Sequence, residues 1–251
     1  MYPNLIAEVG LNHMGNHLLA QKYVKTLQTT QVDGISFQVR EKEFYQRPEK
    51  KHLILSEDAY RSLRETIRSA GKEFGIAIAD INKIDFFESL DTDFYKIIRN
   101  DMTNDLLVKK LLKTGKKIIV STGLSTNKDI DNFVEKFNHN KNFVLNHTQL
   151  SYEEADCNLK AIKHLRQKYD VPISFGSHCY NYNVLYMSLC YEPADILFYV
   201  KNDDKIKYPD DKHAIQLKDV ASISENIKNL SKAVGTGQKT KIGNKITEMK
   251  I

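Results

Sequence analysis

A chain of 251 residues with 41% hydrophobic residues is long enough for two small domains or one large α/β barrel around a sizeable core. Its 37 Lys+Arg against 32 Asp+Glu leave a formal net charge of +5, dispersed in Lys-Lys pairs at 50–51, 109–110 and 116–117. That mild excess without a basic block disfavours nucleic acid and suits solvated faces or a small anionic substrate, and no apolar run approaches membrane-spanning length.

Strand-like and helix-like runs alternate from end to end. The first strand is expected at about Leu5 to Val9, where a short apolar run carries Glu8 and is followed by Asn12, His13 and two glycines. Glu8 reads either as a solvated strand end or as the edge of a polar site, because a buried carboxylate is costly. A helix follows over about His17 to Leu27, then a second strand at Gly34 to Val39. A charged loop, Arg40 to His52, leads to Ser56, the N-cap of a helix that runs to Ala70 and stops at Gly71. The third strand is Gly75 to Asp80, followed by a short helix from Ile84 to Leu90. The fourth is Phe94 to Ile98, followed by a helix from Leu106 to Thr114. The fifth strand, Lys117 to Thr122, precedes a helix at Lys128 to Phe137, and the sixth, Asn142 to His147, precedes one at Leu159 to Lys168. The seventh, Val171 to Gly176, leads to a helix at Asn183 to Cys190. The eighth, Asp195 to Val200, leads through a polar loop, Lys201 to Lys212, to a last helix at Leu217 to Ala233.

Eight strands alternating with eight helices imply a parallel sheet with helical crossovers, and about 250 residues is the size of a (β/α)8 TIM barrel. A doubly wound open sheet is disfavoured because no GxGxxG follows the first strand. One barrel domain is expected over residues 1–235, with a loose Lys-, Gly- and Thr-rich tail over 236–251. Cys157, Cys179 and Cys190 form an odd set without CxxC and read as reduced thiols. Glu8 and Asn12 interrupt any signal-peptide pattern, so a cytoplasmic protein with no membrane partner is expected.

In a barrel the C-terminal ends of all strands face one site. There the sequence places Glu8, Gln38, Asp80, Lys96, Ser121, Thr122, His147, Gln149, His178 and Lys201. Lys96 lies within an apolar strand. It either snorkels between outer helices or turns inward towards a phosphate or carboxylate, and the inward reading is favoured. Ser121-Thr122-Gly123 offers hydroxyls and backbone N–H groups suited to phosphate. His178 and His147 are either hydrogen-bonded loop histidines or metal ligands or acid/base groups, with no short ligand spacing to decide.

In order along the chain, Ile6 to Gly15 resembles an AEIGxNHxG opening, Phe37-Gln38 a (V/I)KxQ strand end, and Tyr95-Lys96-Ile97 a YKI strand. Ile119 to Gly123 resembles ILSTG, Ser174 to Cys179 GxSDHT, and Pro209-Asp210-Asp211 the PGPD segment. This ordered set resembles the N-acetylneuraminate (sialic acid) synthase family, whose (β/α)8 barrels use a divalent metal (Mn or Mg) to condense phosphoenolpyruvate with an N-acetylated amino-sugar aldehyde. The resemblance implies that Lys96, Ser121 and Gln149 hold phosphate, that Glu8 and Asn12 belong to the sugar-facing entry, and that Gln38 lines the site. Asp101 falls where the family has a catalytic Glu. His178 would bind the metal, with Asp211 near it. The small-molecule partners would be phosphoenolpyruvate and an amino sugar, in a homodimer with no nucleic acid, serving surface glycan synthesis.

The departures are specific. Ser36 replaces a lysine, Arg99 a serine and Gly176 another serine, while the second metal histidine falls on Val200. Arg99 and Arg40 are expected to replace lost anion contacts, and His147 or His213 the lost ligand. No counterpart of the family's C-terminal antifreeze-like domain is expected, which leaves a more open barrel. Two rivals stand beside the synthase: a phosphate-binding barrel with a changed acceptor or reaction, and a non-catalytic binding or scaffolding subunit.

Overall fold

The computed structural model describes residues 2–203 and 205–239, so residues 240–251 of the expected tail lie outside the described residues. Eight parallel strands close a barrel: β1 (Asn4–Gly10), β2 (Gly34–Val39), β3 (Glu73–Ile78), β4 (Phe94–Ile97), β5 (Lys117–Ser121), β6 (Phe143–Thr148), β7 (Ile173–Ser177) and β8 (Asp195–Lys201). Each pairs with the next, and β8 returns to β1 from Asn4↔Asp195 to Glu8↔Tyr199. The expected (β/α)8 architecture is therefore the observed one.

Several of the intervening helices begin at a side-chain cap. Asn16 caps α1 (His17–Leu27) by accepting from the Leu19 N–H. The loop expected at Arg40 to His52 instead holds a four-residue helix, α2 (Lys42–Tyr45), and a 3-10 turn over Lys51–Leu53. Both close over an apolar cluster of Leu11, Phe44 and Leu53, a local burial too short for a periodicity to reveal. Ser56 caps α3 (Glu57–Ser69), as expected. The outer layer continues through α4 (Ile84–Ser89), α5 (Asp105–Leu112), α6 (Asn127–Phe137), α7 (Lys160–Tyr169), α8 (Asn183–Ser188) and α9 (Leu217–Val234). A short β9 (Ile215–Gln216), unforeseen in the sequence, pairs with Val200 and Lys201 and ties the last loop to the barrel rim.

Strand side chains alternate between the helix layer and the barrel interior. The main core lies between strands and helices. A separate interior layer is formed by Ile6, Phe94, Ile119 and Leu197. Gly75 makes that layer fit, since a Cβ there would sit 2.0 Å from the Phe94 ring. Two residues beyond each member of the layer, in the direction of the strand, stand Glu8, Lys96, Ser121 and Tyr199. The period of two thus lifts four polar or phenolic side chains onto an apolar floor at the C-terminal mouth.

Candidate active site

Above that floor lies a cavity of about 270 Å³ lined by Gln38, Lys96, Arg99, Ser121, His178 and Tyr199, with Tyr152, Asp210 and His213 from the loops. Lys96 crosses the interior to Glu8, its Nζ 2.7 Å and 2.8 Å from the two carboxylate oxygens. Both residues are almost fully buried, 3% and 2% exposed. Two buried charges are tolerable only when paired this closely. Glu8 is thus held under the cavity wall by Lys96 rather than presented to it. Arg99 opens the 3-10 turn after β4 with φ +51°, is exposed and lines the cavity. A left-handed non-glycine residue at a cavity is strain of the kind that collects at functional sites.

The opposite wall is built mainly of imidazoles and phenols. His178 Nδ1 is 3.1 Å from Thr148 Oγ1, and its ring lies 4.7 Å from His213 and 5.5 Å from Tyr199, centroid to centroid. His213 packs edge-on to Tyr199 at 4.8 Å and stacks on Tyr152 at 5.8 Å. Burial pushes both imidazoles down: His178, helped by His213 and the Lys96 charge, falls far below the usual range, and His213, helped by the Lys96 and Lys201 charges, falls to about 4. Asp210 goes the other way, raised to about 7 by burial and the Glu8 charge. Its carboxylate approaches Gly10, where φ is +56° and a Cβ would stand 3.1 Å from Asp210 Oδ2.

Five of the sequence-predicted strand-end residues therefore meet: Glu8 through Lys96, and Gln38, Lys96, Ser121 and His178 directly. The others go elsewhere, for reasons of strand parity or loop path. Asp80 caps the 3-10 turn after β3 and lines a side cavity of about 310 Å³ with Arg40. Arg40 spends its fork on Glu41, at 2.9 Å and 2.8 Å, and lies over the Phe44 ring, so it is not a free anion contact. Thr122, His147 and Gln149 line a cavity on the outer side of β5 and β6. His147 bonds the Cys157 carbonyl at 3.0 Å, which removes it as a substitute ligand for the central site. Lys201 is tied to Asp211, which faces that lysine and not the cavity; its neighbour Asp210 is the one turned inward.

Asp101 is half-buried within the turn after β4 and does not line the cavity; burial and the Glu41 charge raise its carboxyl. Asn12 is fully buried. It donates to the Val200 carbonyl at 2.8 Å and accepts from the Asp210 N–H at 3.1 Å, so it positions the Asp210 loop and cannot touch a substrate. Val200, where the resemblance put a metal histidine, points into the outer core; the inward residue of β8 beside His178 is Tyr199. Gly176 is explained by Asn146, whose amide would lie 2.7 Å from a Cβ at that position.

Tyr199, Asp210 and Tyr152 were missed in the sequence. Tyr199 had a signal: it follows inward Leu197 by two. Asp210 lies in the segment matched to PGPD, where the resemblance points to Asp211 in its place, and Tyr152 lies in an irregular loop without a signal. Among the described residues, no three His, Cys, Asp or Glu side chains surround a common point.

A model described as the NeuB family matches residues 19–239. The chain belongs to the NeuB family. Among its relatives, N-acetylneuraminate-9-phosphate synthase of Mus musculus is 23% identical over 258 residues, covering 94% of this chain and 72% of the relative. N,N'-diacetyllegionaminic acid synthase of Legionella pneumophila is 25% identical over 270 residues, covering 96% and 76%. An uncharacterized protein of Methanocaldococcus jannaschii is 28% identical over 247 residues, covering 94% and 73%. The sialic acid synthetase of Leptospira borgpetersenii superposes with a TM-score of 0.90 at 23% identity, over 97% of this chain and 88% of that one, a likeness of fold. No described helix of this NeuB-family chain is long and apolar enough to cross a membrane.

Proposed function

We propose that this NeuB-family barrel condenses phosphoenolpyruvate with an amino-sugar aldehyde to a nonulosonic acid. The observation that carries the reading is the pairing, in one cavity, of a cationic wall of Lys96 and Arg99 beside Ser121 with a neutral imidazole–phenol wall. The first suits the phosphate and carboxylate of phosphoenolpyruvate, with Arg99 able to bind either in bidentate fashion. The second suits a polyhydroxylated acceptor through Tyr199, His213 and Tyr152. Family relatives named as N-acetylneuraminate-9-phosphate and diacetyllegionaminic acid synthases support the same reading.

In the reaction, C3 of phosphoenolpyruvate bonds to the aldehyde carbon, water adds at C2, and inorganic phosphate leaves. Water must give up a proton and the aldehyde oxygen must gain one. Asp210, with a carboxyl near 7 on the cavity wall, is poised to carry that proton, and Asp101 is more remote. Lys96 would turn from Glu8 towards the incoming phosphate, leaving Glu8 to accept from the sugar. A divalent cation, when bound, supplies Lewis-acid polarisation of the aldehyde oxygen, with His178 as a ligand.

Release of inorganic phosphate from phosphoenolpyruvate, assayed with a panel of N-acetylated amino sugars and with Mn²⁺ or Mg²⁺ supplied, tests the proposal. Aldehyde-dependent release is expected; none with any sugar would sink it.

A further inference from the structure

His213 is a buried residue whose polar atoms have no visible employment. Its side chain is 6% exposed, and neither ring nitrogen has a hydrogen-bond partner. Buried polar groups are nearly always satisfied, so an orphan of this kind calls for an absent partner. The ring faces the central cavity and lies 4.7 Å from His178. Two imidazoles on one cation, each nitrogen about 2.1 Å from it, place their ring centroids about 4.5–5.2 Å apart at tetrahedral or octahedral angles.

The other ring is oriented for the same task. Thr148 Oγ1 engages His178 Nδ1, which leaves His178 Nε2 for the cavity. Holding one nitrogen so that the other presents its lone pair is the usual support of a metal-bound histidine. Asp210 Oδ1 lies 3.9 Å from His213 Nε2, so a carboxylate oxygen borders the pair.

We infer that His213, from the loop after β8, joins His178 as the second protein ligand of a divalent transition-metal ion, replacing a ligand that strand β8 itself does not supply. On β8 the inward position carries Tyr199, and Val200 faces the helices. His213 reaches the same space from outside the strand, on a loop anchored by β9 and by Asn12. Two protein nitrogens leave the remaining coordination positions to water or to oxygens of the substrates. The assignment rests on the synthase reading for the cation's use in catalysis, not for its binding.

Metal-stripped full-length protein titrated with Co²⁺, followed by visible absorption and calorimetry, tests the assignment without any turnover. One equivalent is expected to bind and to produce a d–d band. His213→Gln and His178→Gln should each weaken binding by about tenfold or more, while His164→Gln, on the exposed face of α7, should leave it unchanged. His213→Cys should add a thiolate-to-cobalt charge-transfer band, which no purely structural role of His213 would produce and which decides the matter if the glutamine variant fails to fold. Cobalt binding undiminished in His213→Gln, no binding at all, or His213→Cys without the new band would overturn the assignment. Cobalt binding through His213 in a protein that releases no phosphate from phosphoenolpyruvate would uphold the metal site and sink the synthase reading. Phosphate release without cobalt binding would do the reverse.

Discussion

The two walls of the cavity meet the same problem, polar groups removed from water, in opposite ways. The β1–β4 wall keeps its charges and cancels them, Lys96 against Glu8 at 2.7 Å. The β7–β8 wall gives up its charges: burial holds His178 and His213 neutral and lifts Asp210 to about 7. The difference follows from intrinsic pKa. Lysine and glutamate lie far from neutrality and ionise unless burial is extreme, whereas histidine needs only a modest penalty to lose its proton. A closed pair can open towards an anion, and a neutral imidazole is ready to accept a proton or a cation.

The largest test of that contrast is Lys96→Ala. It strands Glu8 in the interior and should cost about 3–5 kcal/mol in chemical denaturation, with loss of phosphoenolpyruvate affinity. If stability is unchanged, the charged wall is not a closed pair in solution. Next comes Asn12→Ala, which unpairs the Val200 carbonyl and the Asp210 N–H. A loss of about 2–3 kcal/mol is expected, together with weaker substrate binding from a loosened Asp210 loop. Wild-type affinity in a folded Asn12→Ala protein would separate the two walls completely.

Arg99→Gly should lower phosphoenolpyruvate affinity by about tenfold in calorimetry yet leave stability within about 1 kcal/mol, because φ +51° suits glycine. Equal losses of both would make Arg99 a structural residue.

The smallest effects concern pH, and their signs oppose. His213 is lowered to about 4 from 6.5, so the unfolded chain binds more protons between those values and stability rises with pH there. Asp210 is raised to about 7 from 3.8, so the folded chain binds more protons and stability falls as pH rises from about 4 to 7. Relative to wild type, thermal unfolding of His213→Gln should lose the rising component and that of Asp210→Asn the falling one. Parallel profiles for all three proteins would mean that the neutral wall is not neutral for the reason given.

Much of this was legible in advance. The His17–Leu27 helix and the Gly34–Val39 strand match residue for residue, because amphipathic spacing and capping are local. Lys96 facing inward was readable from its place in an apolar strand. The destinations of Asp80, Arg40, Thr122, His147 and Gln149 were not. A strand end contributes residues to both faces, and only the register of the closed barrel says which face is which.

The same distinction applies to the whole protein. Alternating apolar runs with polar strand ends determined a parallel barrel and a polar mouth, since burial periodicity is written along the chain. Tertiary structure alone decided that Glu8 is spent on Lys96, that Tyr199 and not Val200 faces His178, and that Asp210 and His213 descend from a loop into the cavity. The Glu8–Lys96 and His178–Tyr199 contacts join residues 88 and 21 positions apart, and nothing local encodes a distance across the barrel.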